Sequence, residues 1–154
     1  MDLKRLLDTR VAAAMDQAGA GGSETIVVPA ARPEFGDYQS NGCMAAAKKI
    51  GTNPRQLAEK VISFLDLSGI AENVSVAGPG FINIQLDTGW LARQLAEQVV
   101  AQLDIADLCE TPEIAGPGFI NLRLKTDYVA AQMLRIAADE SERLGIAKES
   151  EPQT

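Results

Sequence analysis

The sequence predicts an α+β fold, a two-layer sandwich in which a small antiparallel sheet carries helices on one face, with a ββα unit present twice. Three observations lead there. Apolar residues recur at helical spacing in several stretches punctuated by Gly and Pro, two alternating strand-like segments flank a Gly-Pro-Gly break, and AGPGFIN at 77–83 returns letter for letter at 115–121.

The elements follow in order. Residues 2–18 place Leu3, Leu7, Val11, Ala14 and Ala18 on one stripe, with Leu6 and Met15 beside it, which predicts an amphipathic helix stopped by Gly19 to Gly22. ETIVVPA at 24–30 is β-branched and closed by proline, so it reads as a strand near a sheet edge. The turn-rich stretch 32–42 leads into CMAAAKKI, a short helix ended by Gly51. Asn53 as N-cap, Pro54 at the first helical position and Gln56 at capping-box spacing open another helix, with Leu57, Ala58, Val61, Phe64 and Leu65 as its buried stripe. NVSVAGPGFINIQL then predicts two adjacent strands with a tight connection. Asp87 or Thr88 caps a further helix in which Leu91, Leu95 and Val99 share a face, with Trp90 and Leu103 nearby.

Leu65–Gln94 aligns with Leu103–Gln132 at a constant offset of 38 residues, with about half of the pairs identical. Two copies are too few for a solenoid. The expected division is a domain over 1–103, a second copy of the ββα unit over 104–145 and a charged tail or linker over 146–154. The second copy brings no copy of the helices that precede the first, so its apolar strand face needs cover. It can extend the first sheet, pack alongside it, compete for the same place or exchange between two chains, giving a homodimer. Of these, an addition at the sheet edge or alongside is preferred, with the first copy in the native place. At the second helix start Lys125 replaces Asp87, so Thr126 would have to serve as cap.

Composition removes several functions. No apolar run reaches the roughly 20 residues of a membrane span, and the charged start is not a signal peptide, so a cytoplasmic location and no membrane partner are expected. Cys43 and Cys109 lie far apart and have no His or Cys at ligand spacing, which predicts ordinary thiols and no metal site. With no histidine in 154 residues, the commonest general base is missing and catalysis within the chain is hard to support. A formal charge of −7 has the wrong sign for bulk electrostatic grip on phosphates, and Lys48, Lys49, Arg55 and Lys60 read chiefly as a solvated helix face.

The repeated string has a period-two consequence. Ile82, Ile84 and Leu86 face one side and Phe81, Asn83 and Gln85 the other; in the second copy Ile120, Leu122 and Leu124 face inward, with Phe119, Asn121 and Arg123 outward. A ring followed by an amide can stack on and read an unpaired base, at about 1–3 kcal/mol per stacked base. The plainer reading, which pattern alone favours, is that Gly-Pro-Gly makes a tight turn and the phenylalanine packs beneath a neighbour.

EFGDYQSNGCMAAAKKIGTNPRQLAEKV, followed by LDLSGIAENVSVAGPGFINIQLD, resembles the N-terminal additional domain of arginyl-tRNA synthetase over residues 1 to about 103. The segment from LDIADL to LGIAKESEPQT resembles the end of that domain again, a departure from the family's single copy. The resemblance implies an α+β module that precedes a class I catalytic domain and contacts the D-loop and corner of tRNA-Arg. It places tRNA contacts at Phe81 and Asn83, with Gln85, Tyr38, Gln39 and Asn41 beside them, and equally at Phe119, Asn121 and Arg123. It makes the platform the preferred reading. No HIGH or KMSKS string is present, so the resemblance implies no cofactor here, ATP being used by the full-length family enzyme, and no aminoacylation by this chain alone. A structural or protein-interaction module, dimerising or docking through the extra unit, is the rival.

Overall fold

The computed structural model describes residues 2–138, so the end of the second copy and the tail at 146–154 fall outside the described residues. The chain divides into two compact units. One runs through Leu95 and includes Gly116–Gly118; the other comprises Ala96–Ala115 and continues from Phe119.

In the first unit, α1 (Leu3–Gln17) begins where the Asp2 carboxylate accepts from the Arg5 backbone N–H at 3.0 Å and ends at Ala18, with Gly19 at φ +89° turning the chain away. β1 (Val27–Pro29), a 3-10 turn (Pro33–Phe35), β2 (Tyr38–Ser40) and α2 (Gly42–Ile50) follow. α3 (Pro54–Phe64) is opened by Asn53, whose side chain accepts from Arg55 N at 2.9 Å and Gln56 N at 3.2 Å. β3 (Ala71–Ala77) and β4 (Phe81–Leu86) form a hairpin, and α4 (Thr88–Val100) starts with Asp87 Oδ1 accepting from Trp90 N at 2.6 Å.

These strands make a four-stranded antiparallel sheet in the order β1-β2-β4-β3. Period two sends Ile82, Ile84 and Leu86 into one core cluster with Leu7, Val11 and Met15 of α1, Cys43, Ala46 and Ala47 of α2, and Leu57, Ala58 and Val61 of α3. Burying each large aliphatic side chain stabilises the fold by about 1.5–3 kcal/mol. Phe64 departs from the expected stripe and is 41% exposed. The buried face instead drifts along 57, 58, 61, 62 and 65, leaving Phe64 on its outer flank.

The second unit repeats local geometry, but among its described residues only Ala96 and Cys109 are buried. β5 (Glu113–Ala115) and β6 (Phe119–Asn121) pair as Glu113↔Asn121, Ile114↔Ile120 and Ala115↔Phe119, the same register as Ser75↔Asn83, Val76↔Ile82 and Ala77↔Phe81. Backbone bonds recur too: Asp87 N donates to Ile70 O at 2.9 Å, and Lys125 N to Leu108 O at 2.9 Å. The hairpin is a separate two-stranded sheet, so of the two expected additions the extension of the first sheet's edge is not formed. Leu122 and Leu124, expected inward, are 53% and 52% exposed. On α4, Leu91, Leu95 and Val99 are likewise exposed. Similar strand chemistry buries little unless helices close over it. α5 (Thr126–Ala137) takes Thr126 as its first helical residue, after Lys125 at an N-cap position without a side-chain capping bond, which corrects the expectation that Thr126 caps it.

A further correction concerns what precedes the second hairpin. RQLAE at 55–59 recurs at 93–97, again 38 residues on, so α4 is the counterpart of α3. Within the first unit, a Cβ at Gly80 would lie 2.7 Å from Pro54 O, and one at Gly118 would lie 2.8 Å from Ala92 O. The duplicated piece is therefore helix, strand, strand and helix, with α4 closing one copy and opening the next.

Candidate nucleic-acid interface

β4 owes its outward row to the same alternation that builds the core. Phe81 is half-buried, Asn83 buried and Gln85 exposed. The ladder brings Gln39 opposite Asn83 on one side and Ser75 opposite it on the other, with Asn73 opposite Gln85. Gln39 Nε2 donates to Asn83 Oδ1 at 2.8 Å. Asn83 is thus not the freely presented amide expected from its outward direction: the segment 33–36 lies beside it, and Glu34, Phe35 and Gly36 line a shallow dip with Asn73, Ser75, Asn83 and Gln85.

The Gly-Pro-Gly turn holds the ring. Gly78 at φ +51° and Gly80 at φ +134° take conformations that strain other residues, and Gly80 N donates to Ala77 O at 3.2 Å. A Cβ at Gly78 would sit 3.4 Å from Phe81 Cδ2, so the ring folds back towards its own turn. Arg55 ties that turn to α3 by donating from a terminal guanidinium nitrogen to Gly78 O at 3.2 Å while its Nε meets Glu59 at 3.2 Å. The plainer reading of the string, a turn with a packed ring, is thus present, and a partly open ring beside amides is present with it.

The other expected residues divide. Tyr38 is half-buried and packs against the core, so little of its ring is offered outward. Asn41 Oδ1 is enclosed and finds no donor among the described residues, which sets it apart from the exposed Gln85. Lys60 donates to Ala18 O at 2.9 Å, while Lys48 and Lys49 are exposed in the last turn of α2, where cations favour the helix dipole. In the second copy Phe119 is 69% exposed, Asn121 and Arg123 are exposed, and Arg123 reaches Glu110 at 3.9 Å.

Phe35, Asn73 and Ser75 belong to the outer face but escaped the sequence reading. For Asn73 and Ser75 the signal was available: NVSVA alternates, and antiparallel pairing across a tight turn sets them beside Gln85 and Asn83. Phe35 had no such signal, because a turn residue acquires neighbours only through the chain's path.

Burial pushes the Cys43 thiol up to about 11, and among the described residues no group of three or more acidic, Cys or His side chains could hold a metal ion.

The arginyl tRNA synthetase N terminal domain family matches residues 3–86 and 91–124, more than half of the chain. The chain belongs to that family. The second matched stretch begins and ends 38 residues beyond 53 and 86, so it spans the α4-β5-β6 counterpart of α3-β3-β4. The arginine–tRNA ligase of Chromobacterium violaceum is 56% identical over 92 residues, and that of Yersinia enterocolitica 58% over 93, each match covering 60% of this chain and 16% of the relative. The chain therefore corresponds to about a sixth of the length of these synthetases. Arginyl-tRNA synthetase from Plasmodium falciparum shares the fold at TM-score 0.56 and 23% identity, covering 62% of this chain and 18% of its own. The Thermus thermophilus enzyme aligns at TM-score 0.53 and 27% identity, covering 61% and 16%. Among the described residues no helix is long and apolar enough to cross a membrane.

Proposed function

We propose that this arginyl-tRNA synthetase N-terminal domain binds tRNA-Arg at its D-loop corner through the outer face of β4, in support of aminoacylation carried out by a class I catalytic domain. The observation that carries the reading is the half-buried Phe81 beside the amide row of Gln39, Asn83, Asn73 and Gln85. A ring offers a base its face, and neighbouring amides offer both donors and acceptors to its edge. The −7 charge is consistent with recognition by local contacts, with bulk attraction contributing little. ATP and arginine chemistry fall to the catalytic domain in this reading, and the working compartment is the cytoplasm.

The test is binding of the purified chain to tRNA-Arg at low and moderate salt, beside Phe81→Ala, Phe119→Ala and the double variant. Loss with Phe81→Ala supports the first copy as the platform. Loss only with Phe119→Ala moves the site to the second copy, whose ring is the more exposed. Binding that is indifferent to both substitutions overturns the platform.

A further inference from the structure

The second unit carries a core surface without the segment that covers its twin. In the first copy Leu57, Val61, Leu67, Ile82, Ile84 and Leu86 are buried among α1, β1 and α2. Their counterparts 38 residues on are Leu95, Val99, Ile105, Ile120, Leu122 and Leu124, apolar at every position. Three of those in the second unit, Val99, Leu122 and Leu124, are between 43% and 53% exposed. An open cleft in the second unit is lined by Val100, Leu103, Ile105 and Cys109, the counterparts of the core-packed Ile62, Leu65, Leu67 and Ala71.

What fits such a surface is shown by the first copy. Residues 3–50 cover α3, β3 and β4: β2 pairs with β4 through Tyr38↔Ile84, Gln39↔Asn83 and Ser40↔Ile82, and Leu7, Val11 and Met15 supply the apolar layer. β6 repeats the register of β4 with Asn121 in the place of Asn83, so Gln39 would meet the same amide. One charged position matches as well. Arg10 faces Asp66 at 4.0 Å in the first copy, and Asp104 stands at the same position of the second.

We propose that the apolar face of the second unit is a docking site for residues 3–50 of a second copy of this chain, making an exchanged dimer. Each chain has one such segment and two places that can receive it. Moving the segment from one place to the other exchanges one apolar burial for a similar one, so burial alone does not confine it to its own first copy.

The test uses full-length chains in which Cys43→Ala and Cys109→Ala remove the native thiols; Ala71, the counterpart of Cys109, shows that alanine fits that position. Chains bearing Gln39→Cys are unfolded and refolded with an equal amount of chains bearing Asn121→Cys in a glutathione buffer, and linked peptides are counted by mass spectrometry. Antiparallel partners lie within disulfide reach. The expected result is a 39–121 linkage exceeding the 39–39 and 121–121 linkages together, returning to the random share when Leu122→Glu is added to the Asn121→Cys chain. Leu122 is exposed, so that substitution leaves the fold intact. A 39–121 share no greater than random, or one unmoved by Leu122→Glu, overturns the proposal. The unmodified chain refolded at high concentration supplies a second readout: sedimentation should show a dimer fraction that rises with the concentration at refolding and that Leu122→Glu removes, and a sole monomer at all concentrations overturns the exchange.

Discussion

Gln39 and Asn83 join β2 to β4 by a side-chain hydrogen bond of 2.8 Å on the face opposite the core. The bond fixes both amides, and it leaves Asn83 only 8% exposed. Gln39→Ala should therefore lower stability by about 1–2 kcal/mol, because Asn83 keeps its burial and loses its donor. Urea unfolding of the two chains measures it, and an unchanged midpoint would show that water replaces the lost donor.

Leu57 and Leu95 are the same residue at equivalent positions of α3 and α4, yet one is 3% exposed and the other 62%. Leu57→Ala should cost about 2–5 kcal/mol, as buried leucines do. Leu95→Ala, measured at a dilution where chains are monomeric, should stay within about 0.5 kcal/mol. Equal effects would mean that the second face is already covered within one chain.

Gly80 stands where a Cβ would press on Pro54 O, and its φ of +134° disfavours any other residue. Gly80→Ala should destabilise the first unit by about 1–3 kcal/mol and loosen the turn that holds Phe81. Thermal unfolding gives the first effect; the second appears as weaker tRNA binding at temperatures where the variant remains folded.

Asp8 links α1 to the chain ahead of β1, accepting from Thr25 Oγ1 at 2.6 Å and from Lys4 Nζ at 2.8 Å. Burial pushes its carboxyl up, but the hydrogen bonds from Lys4 and Thr25 outweigh that and hold it below the ordinary 3.8. The stability this adds is present above the unfolded value and lost as pH falls through the lower folded value. Unfolding midpoints should thus drop below about pH 4, and Asp8→Asn should reduce the drop. An equal drop in both chains would assign it to other carboxylates.

Much of the first unit was legible in the chain. The α1 stripe, the Asn53 cap, the Gly51 stop and the inward set Ile82, Ile84 and Leu86 depend on spacing and on local hydrogen bonds, which neighbouring residues decide among themselves. The burial of Asn83 was not legible, since alternation tells which way a side chain points and not what the segment 33–36 lays over it. Phe64 was misplaced for a related reason: a helical stripe is wide enough to admit several residues, and only packing selects its flank. RQLAE at 93–97 was readable and passed over, because α4 already had a place as the helix that closes the first copy.

By itself the sequence determined most of the elements, several of their caps and turns, the duplication and the family, all consequences of residue type at short range or of the order of strings along the chain, but not β2, which lies inside the stretch 32–42 that reads as turn-rich. The tertiary structure decided which of the described aliphatic residues are covered in each copy. Ile84 and Leu122 are aliphatic residues at equivalent positions 38 apart, and one is fully buried while the other is 53% exposed. The hydrophobic effect acts on area removed from water, and that area depends on whether residues 3–50 are there to remove it.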